Sequence, residues 1–366
     1  MKIKAIHIGR ISIPLKRPFI TALRRVDSAE DVVVRLETDS GEIGFGNAPP
    51  TAVITGDSQD SVVAAIRDTL GPRLIGLDVE NLEAIHTVLA TGMLHNHSAK
   101  AALDIAAHDL YARRFGMPLY QLFGGYRSRL ETDLTISLNA TDEMVRDAVA
   151  AVGEGYTALK LKVGSDPALD FARVRAIRDA VGPAVAIRLD ANQGWKAKEA
   201  VRIIRRFEAE GLAIELIEQP VKAHDIAGLK YVTDHVETDI MADEAAFGPL
   251  EVFHLLSLRA CDLISIKLMK AGGLHNAHKI ALMAEALDVE CMMSCMLESK
   301  VGITAAASLA AGRKIVTRAD LDAAMLLAED PVTGGVAFRG NQLILPDKPG
   351  LGIDDVSTWI PIATLR

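Results

Sequence analysis

From about residue 132 the chain repeats one unit: a short apolar run, a turn, then a helical stretch of about a dozen residues. The runs are "DLTISLN", "ALKLKV", "VAIRLDAN", "IELIEQP", "DIMADE", "DLISIKL", "VECMMSCMLES" and, less regularly, "KIVTRADLD". Strands joined by crossovers of that length are parallel, and strands apolar on both faces are covered by helices. Eight such units in succession predict an α/β chain closed into a TIM-type barrel. The second run, "TALKLKVG", breaks the apolar pattern by placing Lys160 and Lys162 on one side and Leu159, Leu161 and Val163 on the other. A solvated edge strand would accept two lysines freely, whereas a central, helix-covered strand needs a reason for them.

The first third has a different grammar. "MKIKAIHIGR" alternates like a strand, and "DVVVRLETD" and "EIGFGNA" flank the turn residues Ser40 and Gly41 as a hairpin. Helices are expected over about 58–70, 80–90 and 98–115, the last stopped by Gly116 and Pro118. This is an α+β module at residues 1–125, followed by the barrel at 126–344. The tail, about 345–366, has turn composition and is expected to pack back on the first module. At 366 residues and a formal charge of -8, with no basic run, the chain offers no footprint for nucleic acid or an anionic membrane surface. It carries no signal-peptide core and no apolar stretch of ~18 residues, so a cytoplasmic location is expected. Cys261, Cys291 and Cys295 have neither disulfide nor zinc spacing and read as reduced.

Chemistry in such barrels sits at the C-terminal ends of the strands. The third run ends in Asp190, the fourth in Glu218 and the fifth in Asp243, each about one strand–helix unit from the next. Any one of these acids could cap a helix or pair with a base. Three in register repel one another unless a cation holds them, and hard oxygen ligands that leave room for water and substrate suit Mg²⁺. The sixth run, "ISIKLMKAGG", sets Lys267 near its end, across the barrel from the second strand. Positive neighbours favour the neutral amine that a base requires, and Lys160 fits a cation hydrogen-bonded to a substrate carboxylate. Lys162 and Lys267 then flank one bound carbon from opposite faces, which is the geometry of a racemase or epimerase.

The motifs "KLKVG", "RLDANQGW", "IEQP", "MADE" and "IKLMKAGG" together resemble the muconate lactonizing subgroup of the enolase superfamily over nearly the whole chain. The resemblance implies a modified (β/α)7β TIM barrel with an N-terminal α+β capping domain. It also implies one Mg²⁺ per subunit held by Asp190, Glu218 and Asp243, and an enolate formed by abstraction of a proton α to a carboxylate. Asn192, two residues beyond Asp190, resembles a group that supports the metal site from behind. No histidine stands at a strand end where the mandelate racemase branch would place its base.

Members of the subgroup differ in the pocket. "RADLDAAMLL" carries Asp320 and Asp322, a pair that would suit a substrate ammonium, although one of them could instead cap a helix. This Asp-x-Asp is similar to the signature of dipeptide epimerases, where the acids bind the dipeptide's amino terminus. "PFITALRRVDSAE" reads as a loop offering Arg24, and with "APPTAVITGDS" it resembles epimerases acting on L-Ala-D/L-Glu. There the matching arginine meets the glutamate side chain, a contact suited to a planar guanidinium. Thr135, Cys295 and Leu297 are candidate pocket residues, the last two equally readable as core. Asn47 departs from the pattern by standing where relatives carry Glu. The resemblance thus implies an isomerase acting on a small dipeptide in peptidoglycan peptide metabolism, with a homo-oligomer as the expected assembly. Muconate cycloisomerase, o-succinylbenzoate synthase and N-acylamino acid racemase chemistry share the metal and lysines but leave Asp320 and Asp322 unexplained. A noncatalytic metal-binding barrel would be marked by a missing base or ligand, and none is missing.

Overall fold

Along the first strand Ile3, Ile11 and Ile13 point inward while Lys4, Ser12 and Pro14 face out, the alternation of a sheet with one buried face. The computed structural model describes residues 1–21 and 23–366. Strands Ile3–Ile20, Arg25–Thr38 and Ile43–Ala48 pair antiparallel in that order. The late strand Ile360–Leu365 adds to the free side of the first. Helix His97–Arg114 crosses this sheet at close range. Gly44 and Gly46 permit the approach: a Cβ there would come within 2.4 Å of the Ala106 carbonyl and 1.9 Å of the Ala102 carbonyl.

The barrel consists of eight parallel strands in sequence order: Leu134–Ile136, Ala158–Lys162, Ala186–Asp190, Ile214–Glu218, Asp239–Ala242, Leu263–Ile266, Cys291–Ser294 and Val316–Asp320. The ring closes through Asp133 N donating to Ala319 O at 3.2 Å and Leu321 N donating to Thr132 Oγ1 at 2.8 Å. A helix of eight residues or more follows each of the first seven strands, the sixth by way of the short helix Leu268–Ala271, but the eighth leads only into Ala323–Leu326. This is the (β/α)7β variant of the fold. Leu159, Leu161 and Val163 join the main core with the helices, while Leu216, Met241, Leu263 and Met292 form a separate apolar cluster from the opposite faces of their strands. Lys160 and Lys162 share the inward side, so the second strand is central and helix-covered, not a solvated edge.

Several boundaries differ from the sequence expectation. "DLTISLN" contributes only Leu134–Ile136, and the run at 289–299 only Cys291–Ser294: after Ile136 the chain turns to the first module, Leu138 N donating to Ile20 O at 3.0 Å, and Met296 to Ser299 stay buried in the loop over the cleft. Lys267 stands just beyond the sixth strand, at the start of the short helix Leu268–Ala271. The loop carrying Arg24 is also tighter than expected: the two long strands continue to Ile20 and from Arg25, and Thr21 N donates to Arg24 O at 3.0 Å.

Candidate active site

The ends of the second to sixth strands converge on one buried cluster of opposite charges. In register, Lys162 lies beside Asp190 and Asp190 beside Glu218, and Asp243 follows the fifth strand directly. Lys160, only 2% exposed, places its Nζ 3.1 Å from Asp190, 2.6 Å from Glu218 and 2.8 Å from Asp320. Lys162 Nζ lies 2.6 Å from Asp190 Oδ2. Lys267 Nζ lies 2.6 Å from Asp243 Oδ2 and 3.7 Å from Glu218 Oε1. Charges this deep would each cost several kcal/mol if unpaired, so the set stands or falls together.

The electrostatics follow from that packing. Burial alone would raise Asp190, but Lys162 and Lys160 override it and hold the carboxyl at about 2. Glu218 goes the other way, pushed up to about 8 by burial and by the negative charge of Asp190. Burial would lower Lys267, yet Asp243 and Glu218 raise it above the ordinary lysine value. Both oxygens of Glu218, Oδ1 of Asp243 and Oδ1 of Asn192 are buried without a well-directed hydrogen bond. Four hard oxygens on neighbouring strand ends, three of them held only by an undirected lysine charge and the fourth by none, are a donor set that fits Mg²⁺.

Above this floor opens a cleft lined by both domains. Lys160, Lys162, Lys267, Asp243, Asn192, Asp320 and Asp322 face it from the barrel, as do Thr135, Cys295 and Leu297. Arg24 enters from the tight turn of the first module, and Thr51 and Ile54 from the next loop. Asp190 and Glu218 lie beneath the floor. Arg24 is lowered by burial and, among the described residues, has no carboxylate within ion-pair distance. Asp320 is held down by Lys160 against the effect of burial, whereas Asp322 rises to about 6 through burial and the charge of Asp320. Asp322 stands at the start of the helix Ala323–Leu326, but its carboxylate does not cap it. Its Oδ2 accepts instead from Thr135 N at 2.7 Å.

The site contains residues that sequence reasoning passed over. Lys270, fully buried, sits 2.6 Å from Asp243 Oδ1, one helical turn beyond Lys267 in a motif that was already conspicuous. Gln219 adopts φ 39°, in the left-handed region, and its Oε1 accepts from Asp243 N and Ala245 N, both at 3.0 Å. Strain of that kind persists where surrounding bonds over-determine it, and here it ties the fourth strand end to the fifth. Asn192, also left-handed at φ 42°, donates from its backbone to Asp190 Oδ1 at 2.9 Å and reaches Glu244 Oε1 at 3.4 Å. A separate His86–Asp104–His108 cluster lies between the modules. There Asp104 accepts from Leu274 N and His275 N at the start of helix Leu274–Ala286, with both imidazoles beside it.

Residues 5–124 match the mandelate racemase / muconate lactonizing enzyme N-terminal domain, and residues 143–355 the enolase C-terminal domain-like family. The chain is 52% identical over 357 residues to the L-Ala-D/L-Glu epimerase of Clostridium acetobutylicum, covering 98% of this chain and 100% of that one. The substrate-liganded complex of the L-Ala-D/L-Glu epimerase from Bacillus subtilis superposes with a TM-score of 0.97 at 52% identity, covering 98% and 100% of the two chains. The dipeptide epimerase from Enterococcus faecalis, complexed with Mg and the dipeptide L-Leu-L-Tyr, gives a TM-score of 0.94 at 44% identity, covering 97% and 100%.

Proposed function

Since this chain belongs to the mandelate racemase and muconate lactonizing enzyme family of the enolase superfamily, we propose that it is a dipeptide epimerase, inverting the C-terminal α-carbon of L-Ala-D/L-Glu. One observation carries the reading: a cleft with two carboxylates at one side, an arginine from the capping module that has no carboxylate partner among the described residues, and lysines four strands apart in the ring. Asp320 and Asp322 bind the dipeptide ammonium, and Arg24 receives the glutamate side-chain carboxylate as a fork. The bond from Thr135 N to Asp322 fixes the direction of one acid before substrate arrives.

Asp190, Glu218 and Asp243 would hold Mg²⁺, which when bound supplies positive charge to the substrate carboxylate as the α-proton leaves. Lys160 hydrogen-bonds that carboxylate. Lys162 takes or returns the proton on one face of the α-carbon and Lys267 on the other, Lys162 serving the D-Glu face and Lys267 the L-Glu face. Asn192 keeps Asp190 in place. Thr135, Cys295 and Leu297 shape the wall of the cleft.

The enzyme works in the cytoplasm as a homo-oligomer. Three free thiols support the first statement, and apolar Leu250 and Phe253, exposed together on helix Pro249–Leu258, support the second. No helix among the described residues is long and apolar enough to cross a membrane. Assaying L-Ala-L-Glu beside N-acetyl-L-Ala-L-Glu and a panel of uncharged dipeptides tests the reading. The free acidic dipeptide is expected to turn over faster than the uncharged ones and the acetylated dipeptide not at all, and equal turnover of the acetylated one would remove the ammonium role of the acid pair.

A further inference from the structure

Three buried polar side chains that the reaction does not use meet where the capping sheet rests on the barrel. Asp31 comes from strand Arg25–Thr38, Asn47 from strand Ile43–Ala48, and Glu298 from the loop after the seventh barrel strand. All three are buried, Glu298 at 3% exposure and the other two at 0%. Asn47 Nδ2 donates to Asp31 Oδ2 at 3.0 Å and to Glu298 Oε2 at 3.2 Å, so one amide spends both hydrogens on two carboxyls. Ser299 N donates to Asp31 Oδ2 at 3.0 Å, and Met296 N to Glu298 Oε1 at 3.0 Å. Gly302 completes the nest: a Cβ there would lie 1.8 Å from Glu298 Oε2 and 2.7 Å from Asn47 Oδ1.

Among the described residues no base forms an ion pair with Asp31 or Glu298. Two bare carboxylates at this depth would repel, so the nest is stable when a proton is retained between them and the amide donates to each. Burial, with Asp31 nearby, pushes Glu298 up to about 8, in keeping with a neutral acid. The loop that Glu298 anchors also carries Cys295, Met296 and Leu297, all of which face the cleft.

We propose that Asn47 and Glu298 are positioning residues: an amide on the capping sheet clamps the 295–299 loop and so sets the cleft wall that the dipeptide meets. The clamp spans the two domains and touches neither metal ligands nor bases. It rests on the proposed function only in taking the cleft as the dipeptide site. Glu298→Gln keeps a neutral group of the same size, whereas Glu298→Ala and Asn47→Leu remove the clamp.

Steady-state kinetics with L-Ala-L-Glu, paired with site-resolved iodoacetamide labelling of Cys295, separates the outcomes. Glu298→Ala and Asn47→Leu should raise KM about tenfold with kcat little changed, and should speed Cys295 labelling several-fold. Glu298→Gln should stay close to wild type in both. Unchanged KM and labelling in folded Glu298→Ala or Asn47→Leu would overturn the clamp, as would equal damage from Glu298→Gln. Should Glu298→Ala not fold, Asn47→Leu carries the same comparison. A wild-type enzyme inert towards the dipeptide would defeat the functional reading alone, because the labelling comparison needs no turnover.

Discussion

An ammonium group buried among carboxylates holds its proton, and a base must be able to lose it. Lys267 is raised by Asp243 and Glu218, the acids a divalent cation would take, so cation binding and proton loss would be thermodynamically linked at this residue if it is the base proposed above. Two bases on opposite faces should each own the proton of one diastereomer. In D₂O, Lys162→Ala and Lys267→Ala should both lose epimerisation, yet each should still exchange the α-proton of one diastereomer with retention. NMR of recovered dipeptide reads this, and absence of exchange in both directions in folded single variants would exclude the assignment. Arg24→Met should lower kcat/KM for acidic dipeptides by about tenfold to a hundredfold while sparing those with an uncharged second residue. The convergence of these lysines and acids at one end of the barrel was legible because strand period and strand-end position are local properties of the sequence. Lys270 stood within a conspicuous motif, but its burial depends on how the helix after the sixth strand turns back. The contact between Asn47 and Glu298 was hidden for a plainer reason: 251 residues separate its partners.

Elements were legible where hydropathy has a period, and less so at their ends. The eight parallel strands appeared in order, but their boundaries ran long where buried residues continue past the ladder, as at Met296 and Leu297. Conversely the segment carrying Arg24 was read as a loop over residues 18–30, because Pro18 interrupts the pattern of the first strand and the second opens on the mostly polar "RVDSAE". Helix Leu274–Ala286 takes its N-terminal cap from Asp104 on another helix, a link between domains that no local capping motif could announce. Asp104→Ala should destabilise the protein by about 2 to 4 kcal/mol, since it removes a buried anion from two amides and two imidazoles. Chemical denaturation measures it. The loop anchored by Glu298 adds a pH dependence. Its folded value of about 8 lies above the ordinary 4.5, so its contribution is complete below the ordinary value and is lost as pH rises through 8. Melting temperature should therefore fall over that window in wild type, and fall less in Glu298→Gln.

At the scale of the whole molecule, two domains and one cation share a single site. Chelation with EDTA should abolish turnover without unfolding the barrel, and added Mg²⁺ should restore turnover and raise the melting temperature with its concentration. Unfolding on chelation would instead make the metal a structural one. The fold class was readable because strand–helix alternation admits few topologies. The tail was expected to pack back on the first module, but its turn composition hid that Ile360–Leu365 does so as a strand paired with the first. That pairing bears on how the protein is made. The first strand, 18 residues long, leaves the ribosome early, and the strand that covers its outer side follows only after the entire barrel. At translation rates of roughly 5–20 residues per second, that edge stays uncovered for about 20 to 70 seconds. The stretch that the late strand covers, Ile6–Arg10, is until then an unpaired edge, and such an edge is a template for a neighbouring nascent chain. Crowded polysomes are therefore where this protein is most exposed to loss, and slower decoding of the barrel lengthens the period of risk without altering a residue of the finished fold.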